Sequence, residues 1–152
     1  SSLASASHIV LTDQRGAPFT IDHLRGTPIV VTFISARCTD ACPLIDAEIA
    51  DAAADPRSKA RHVRYLSITL DPKHETWIDM ARVSSRFHAD PSRWILASGA
   101  AADVRALMHA FNVLGNARTH TTFVYVVDSL GRTRSAFPAS VRLDEQIFGA
   151  VR

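Results

Sequence analysis

Cys38 and Cys42 are the residues of this chain best suited by type and spacing to act as nucleophiles or soft-metal ligands. The segment Cys38-Thr39-Asp40-Ala41-Cys42-Pro43 follows a continuous apolar run and precedes a helical pattern. Free N–H groups and the positive dipole end at a helix start stabilise anions, which biases both thiols toward thiolate. Three intervening residues let the sulfurs converge from a loop and a first helical turn, a geometry that serves either disulfide formation or joint ligation of a soft metal. The motif alone does not choose between them. Arg37 adds positive charge beside Cys38, while Asp40 opposes it. A bridge over so short a loop adds little stability, so a structural staple explains the pair poorly. Inert packing, the ordinary role of buried cysteine, fits badly with a strand end followed by proline.

Two thiolates satisfy linear Cu(I), a third ligand favours tighter binding or both oxidation states, and zinc commonly takes four. That directs attention to the seven histidines. His62 begins a predicted strand, His74 and His88 lie near helix ends, His109 sits on a helix, and His8 and His23 occupy edges or turns. All six read as surface or internally satisfied residues. His120 differs, because it ends a loop just before the apolar run TTFVYVV. In an α/β sheet such a loop, next to the central strand, can approach the Cys38 loop, which makes His120 the candidate third ligand.

The elements that must position these residues follow from periodicity. HIVLT and PFTI, joined by a turn at Gly16, predict an N-terminal hairpin. Residues 28–35 (PIVVTFIS) predict a central strand buried on both faces. Pro43 to Asp55 predicts a helix whose Leu44, Ile45, Ile49 and Ala52 face the sheet. Residues 62–70 predict a strand ending at Asp71-Pro72, and 75–86 a helix with apolar spacing through Trp77, Ile78, Ala81 and Val83. A short strand at 94–96, a helix at 100–111 and a strand at 121–127 follow. After a turn at 128–131 come an antiparallel strand at 132–137 and a helix at 141–148. This alternation predicts an α/β fold with a mixed sheet covered on both faces. At 152 residues with 47% hydrophobic content, a single domain spanning 1–152 is expected.

The charge balance excludes other classes. Lys plus Arg number 17 against 15 acids, and no basic stripe interleaves with aromatics, so nucleic acid is not an expected partner. The densest basic cluster, Arg57 through Arg64, reads as a solvated helix end. No stretch has the roughly 18 apolar residues of a membrane span, and the start lacks signal-peptide character. A precursor with a leader or anchor stays open.

Three motifs in register resemble the Sco/SenC/PrrC family of thioredoxin-fold copper chaperones for cytochrome c oxidase assembly. Phe33-Ile-Ser-Ala-Arg-Cys38-Thr-Asp-Ala-Cys42-Pro43 resembles the family's strand and C-P-D-x-C-P loop. Ser67-Ile-Thr-Leu-Asp71-Pro72-Lys73-His74-Glu75-Thr76 is similar to its S-x-D-P-x-x-D-T segment. His120, Tyr125 and Asp128 keep the spacing of its H-x-x-x-x-Y-x-x-D. The resemblance implies a thioredoxin-like fold and copper, as Cu(I) and also Cu(II), held by Cys38, Cys42 and His120. It implies delivery to the dinuclear copper site of the oxidase or to another copper acceptor. It also implies a periplasmic or membrane-facing extracytoplasmic location, a membrane-anchored precursor and a thiol-disulfide reductant as a further partner. Asp71 is then either close to the site or the residue that caps the next helix and fixes the turn. Departures are Thr39 in place of the usual proline, Arg37 beside the first cysteine, and a short stretch before His120.

A metallochaperone transfers its cargo by ligand exchange without turning over a substrate, so whether the chain is an enzyme is left open. The alternative is a thiol-disulfide oxidoreductase that reduces the oxidase copper-site cysteines or another exported protein. Cys38 is then the nucleophile and Cys42 the resolving thiol. Against ordinary thioredoxin chemistry, the pair is C-x3-C and Thr121-Thr122 stands where thioredoxins place a cis proline. No Thr-x-x-Cys segment supports a peroxidase. A copper- or redox-sensing regulator forms a third class, and the solvent-facing turns around Arg37, Asp40 and Asn116 carry no readable partner code.

Overall fold

A computed structural model describes residues 3–37, 42–113 and 122–151. Seven strands form one sheet: β1 Val10–Asp13, β2 Pro18–Thr20, β3 Ile29–Ile34, β4 Arg64–Thr69, β5 Trp94–Ser98, β6 Phe123–Val127 and β7 Thr133–Pro138. The helices are α1 Cys42–Ala54, α2 Pro56–Ala60, α3 Trp77–Arg86, α4 Ala101–Ala110 and α5 Leu143–Ala150, with short 3-10 turns at Leu3–Ala6 and Ile21–Leu24. The sheet order is β2-β1-β5-β4-β3-β6-β7. Strands β3, β4 and β5 run parallel, and the remaining pairings are antiparallel.

Why β3 lies inside the sheet, between β4 and β6, follows from its residues. All six positions of IVVTFI are buried, which a β-branched run tolerates only with both sheet faces covered. Alternation then divides it between two cores. Ile29, Val31 and Phe33 pack with Val104, Leu107 and Phe111 of the α4 region. Val30 and Ile34 pack with Ile49 and Ala52 of α1, Met80 and Val83 of α3, and Leu143, Ile147 and Phe148 of α5. Thr32, the polar residue of the run, is satisfied across the parallel pair by Ser67 at 2.7 Å, and Ser67 Oγ also accepts the indole N–H of the buried Trp94 at 2.9 Å.

The predicted hairpin is β1–β2, with Leu11 opposite Phe19, and Gly16 turns it with φ of 77°. Several expectations shift in detail. The strand expected from His62 starts at Arg64, because His62 closes the preceding helix in a left-handed conformation, φ 57°. The helix expected from Glu75 starts at Trp77. Thr76 caps it, with Asp79 completing the capping box, so Glu75 belongs to the turn before it. Its buried face is Met80, Val83 and Ser84, while Trp77 and Ile78 remain partly exposed.

Leu44, expected against the sheet, is 72% exposed; the buried stripe of α1 runs through Asp46, Ile49 and Ala52. The basic cluster is also not a simple solvated end. Asp55 caps a separate short helix, α2, with Pro56 at its first position. From there Arg57 and Arg61 lie over the Phe148 ring, at 4.2 and 5.6 Å, and Arg61 Nη1 donates to the carbonyls of Phe148 and Val151. Two of the basic residues therefore fasten α5 to the body of the protein.

Candidate metal and thiol site

Cys38 and His120 both lie outside the described residues, as do Thr39 and Asp40. What the structure describes is the frame around them. Strand β3 ends at Ile34, and the chain leaves the sheet through Ser35, Ala36 and Arg37; α1 begins at Cys42, with Pro43 second. Cys42 is therefore the first residue of a helix of 13 residues. Strand β6 lies antiparallel beside β3 with Thr32 opposite Val124. That register sets the start of β6 next to the end of β3, so the chain arriving from His120 and the chain departing toward Cys38 share one end of the sheet. Among the described residues, no group of three or more His, Cys, Asp or Glu has a metal-holding arrangement.

The other members of the motifs have definite structural roles. Tyr125 is buried in β6, where its ring meets Phe33 at 6.3 Å and Phe111 at 5.1 Å, and desolvation raises its phenol pKa. Asp128 organises the β6–β7 turn, its Oδ1 accepting the N–H groups of Leu130 and Arg132. Desolvation pulls its pKa upward, but those N–H groups and the nearby Arg132 and Arg134 hold it below the usual carboxylate value. Asp71 fixes its turn. Its carbonyl accepts from the amides of His74 and Glu75, and its carboxylate meets His74 Nδ1 at 2.9 Å. The helix-capping role falls to Thr76 instead.

Two carboxylates of this region were not singled out from sequence. Glu75 is 1% exposed and accepts four hydrogen bonds. Oε1 takes Thr69 Oγ1 at 2.7 Å and the Ala36 amide at 3.0 Å; Oε2 takes Ser35 Oγ at 3.2 Å and the Arg37 amide at 3.1 Å. The available signal was its position in the Asp71-Pro72 motif directly before a capping threonine. Asp46 lies one helical turn beyond Cys42, 4% exposed, and its Oδ1 has no hydrogen-bond partner among the described residues. Burial pushes its pKa up to about 7, against the pull of the Arg86 charge. The spacing of Asp46 to Ile49, on the apolar stripe of α1, was the sign available there.

Strand order, helices on both faces and the N-terminal hairpin define a thioredoxin-like α/β fold. Residues 3–152 match the SCO1/SenC family model, and the chain belongs to that family. No curated protein matches it in sequence. Among solved structures, an Aquifex aeolicus protein assigned to electron transfer shares 23% identity with a TM-score of 0.84, over 96% of this chain and 89% of that one. ScoI from Bradyrhizobium japonicum, solved with copper bound, shares 25% identity with a TM-score of 0.70, over 93% and 94%. BsSco, described as a Sco-family cytochrome c oxidase assembly protein with a disulfide switch, shares 18% with a TM-score of 0.77, over 93% and 88%.

Proposed function

We propose that this protein is a copper metallochaperone that holds one copper ion through Cys38, Cys42 and His120 and delivers it to the dinuclear copper site of cytochrome c oxidase. The observation that supports the reading is the β3–β6 register, which sets the start of β6 beside the end of β3, with His120 shortly before the one and Cys38 shortly after the other in sequence, and α1 beginning at Cys42. Family membership and the copper-bound ScoI relative support it. Copper is cargo here, accepted as Cu(I) and also as Cu(II). Thiolates at a helix N-terminus bind the soft ion, and an imidazole adds a third donor that an incoming acceptor ligand replaces. In this reading residues 1–152 act as one unit in the periplasm or another extracytoplasmic, membrane-facing space, released from or tethered by an anchored precursor.

The test is anaerobic titration of the reduced protein with Cu(I) against a competing chelator, comparing the native sequence with C38S, C42S and H120A. Tight one-to-one binding, lost in either cysteine variant and weakened in H120A, is the expected result. Weak binding indifferent to His120 overturns it.

Thiol-disulfide exchange is the second reading, favoured by the position of Cys42 at the start of α1 and by the disulfide switch of BsSco. Cys38 attacks a substrate disulfide as thiolate, forming a mixed disulfide and expelling one substrate thiolate. Cys42 then attacks Cys38 Sγ, which releases the second substrate thiolate and leaves the pair oxidised, to be restored by an external dithiol.

A further inference from the structure

The parallel ladder between β3 and β4 ends at Ile34 opposite Thr69, and the Leu70 amide bonds the Ile34 carbonyl at 2.8 Å. Beyond that point the amides of Ala36 and Arg37 have left the sheet and need acceptors. Both point at a single carboxylate, that of Glu75, at 3.0 and 3.1 Å. Successive N–H groups converging in this way form an anion nest, here filled by the protein's own side chain.

The nest is held from several directions. Thr69 Oγ1 at the end of β4 donates to the same carboxylate. Ser98 Oγ at the end of β5 donates to the Glu75 carbonyl at 2.7 Å, and the Glu75 amide donates to Asp71 O at 2.9 Å. Arg37 reaches back in the opposite sense, its Nη2 donating to His74 O at 2.7 Å. Residues 35–37 and 74–75 are thus tied by side chains reaching in both directions, and the backbone at Ala36 and Arg37 is held immediately before Cys38 in sequence.

We propose that Glu75 is a positioning residue, whose carboxylate fixes the direction of the chain at Ala36 and Arg37 and thereby sets how Cys38 is presented. This rests on the reading of Cys38 as the ligating or reactive thiol. The geometry also supplies a near-isosteric probe. In Glu75→Gln one acceptor oxygen becomes an NH2 donor. The hydroxyls of Ser35 and Thr69 can rotate to accept from it, but a backbone amide cannot, so one of the two nest contacts becomes N–H against N–H. Side chains that orient a ligand through a hydrogen bond carry roughly 10–100-fold in metal affinity.

The experiment compares the native chain, E75Q and I147V, a core variant in α5 that serves as a control for lost stability. Cu(I) affinity is read by chelator competition, and the rate of Cys38 alkylation by iodoacetamide is read in the same chains carrying C42S. Support is a 10–100-fold loss of Cu(I) affinity and a change of threefold or more in the alkylation rate for E75Q, with I147V at native values for both. A folded E75Q with native alkylation rate overturns the proposal, whatever its copper affinity, and so does an I147V that changes as much as E75Q. If the native chain fails to bind Cu(I), the copper reading falls alone, and the alkylation arm still decides the role of Glu75.

Discussion

A Cβ built on Gly16 would stand 3.1 Å from Cζ2 of Trp77, so the turn of the N-terminal hairpin and the first turn of α3 meet so closely that a side chain there would have to push the Trp77 ring aside. Gly16 also has φ of 77°, a left-handed conformation in which other residues are strained. Gly16→Ala is expected to lower stability by about 1–3 kcal/mol in urea unfolding. Adding Trp77→Ala should recover the steric part of that loss and leave the torsional part.

The Thr32–Ser67–Trp94 chain places polar groups between layers of buried apolar residues. Ser67→Ala leaves the Trp94 indole N–H without its acceptor, an expected cost of about 1–3 kcal/mol. Trp94→Phe in the same background removes the orphaned donor. A double-mutant cycle should therefore show coupling, while full additivity would mean the bond contributes nothing.

Arg61 caps the C-terminus of α2, and its side chain acts on α5. Replacing it with alanine removes two donors from the carbonyls of Phe148 and Val151 and one cation from the Phe148 face. Amide exchange over the last turn of α5 should accelerate, with global stability falling by about 1 kcal/mol. An unchanged exchange pattern would assign the fastening to Arg57 alone.

Asp46 predicts a pH dependence. Its pKa is raised from 3.8 to about 7 by burial, with Arg86 the opposing charge. Between those values the native state keeps a proton that the unfolded chain has released, so stability is highest below about pH 4 as far as this group is concerned, and falls as pH rises toward 7. Asp46→Asn stays neutral throughout. Its unfolding free energy at pH 8 should exceed that of the native chain, by on the order of 2–4 kcal/mol at most, and the slope between pH 4 and 7 should flatten. A slope identical to the native one would show that Asp46 does not hold the proton.

Much of this architecture was legible because hydrophobic period and turn residues agreed. The run from Pro28 to Ser35 could be read as a central strand, since only a strand buried on both faces tolerates six consecutive apolar or β-branched positions. Boundaries were less legible where a polar residue does something tertiary. Glu75 looks like a helix opener, but it is drawn into the turn by amides of residues 36 and 37, far away in sequence. Leu44 resembles a core residue by composition; the helix rotates it outward and buries Asp46 instead, an exchange that no local propensity favours. For the candidate site, Cys42 could be placed at a helix start from Pro43 and the following pattern, and α1 begins there. Cys38 and His120 rest on motif spacing, and the roles of Tyr125 and Asp128 in core and turn became evident only from their contacts.

The two flanks of the sheet are β2 and β7, and each carries a proline in its outermost strand, Pro18 opening β2 and Pro138 ending β7. Proline withholds a ladder donor, and β7 also carries Arg134 along its length. Zipper-like extension by a partner's strand is therefore penalised on both sides of the molecule.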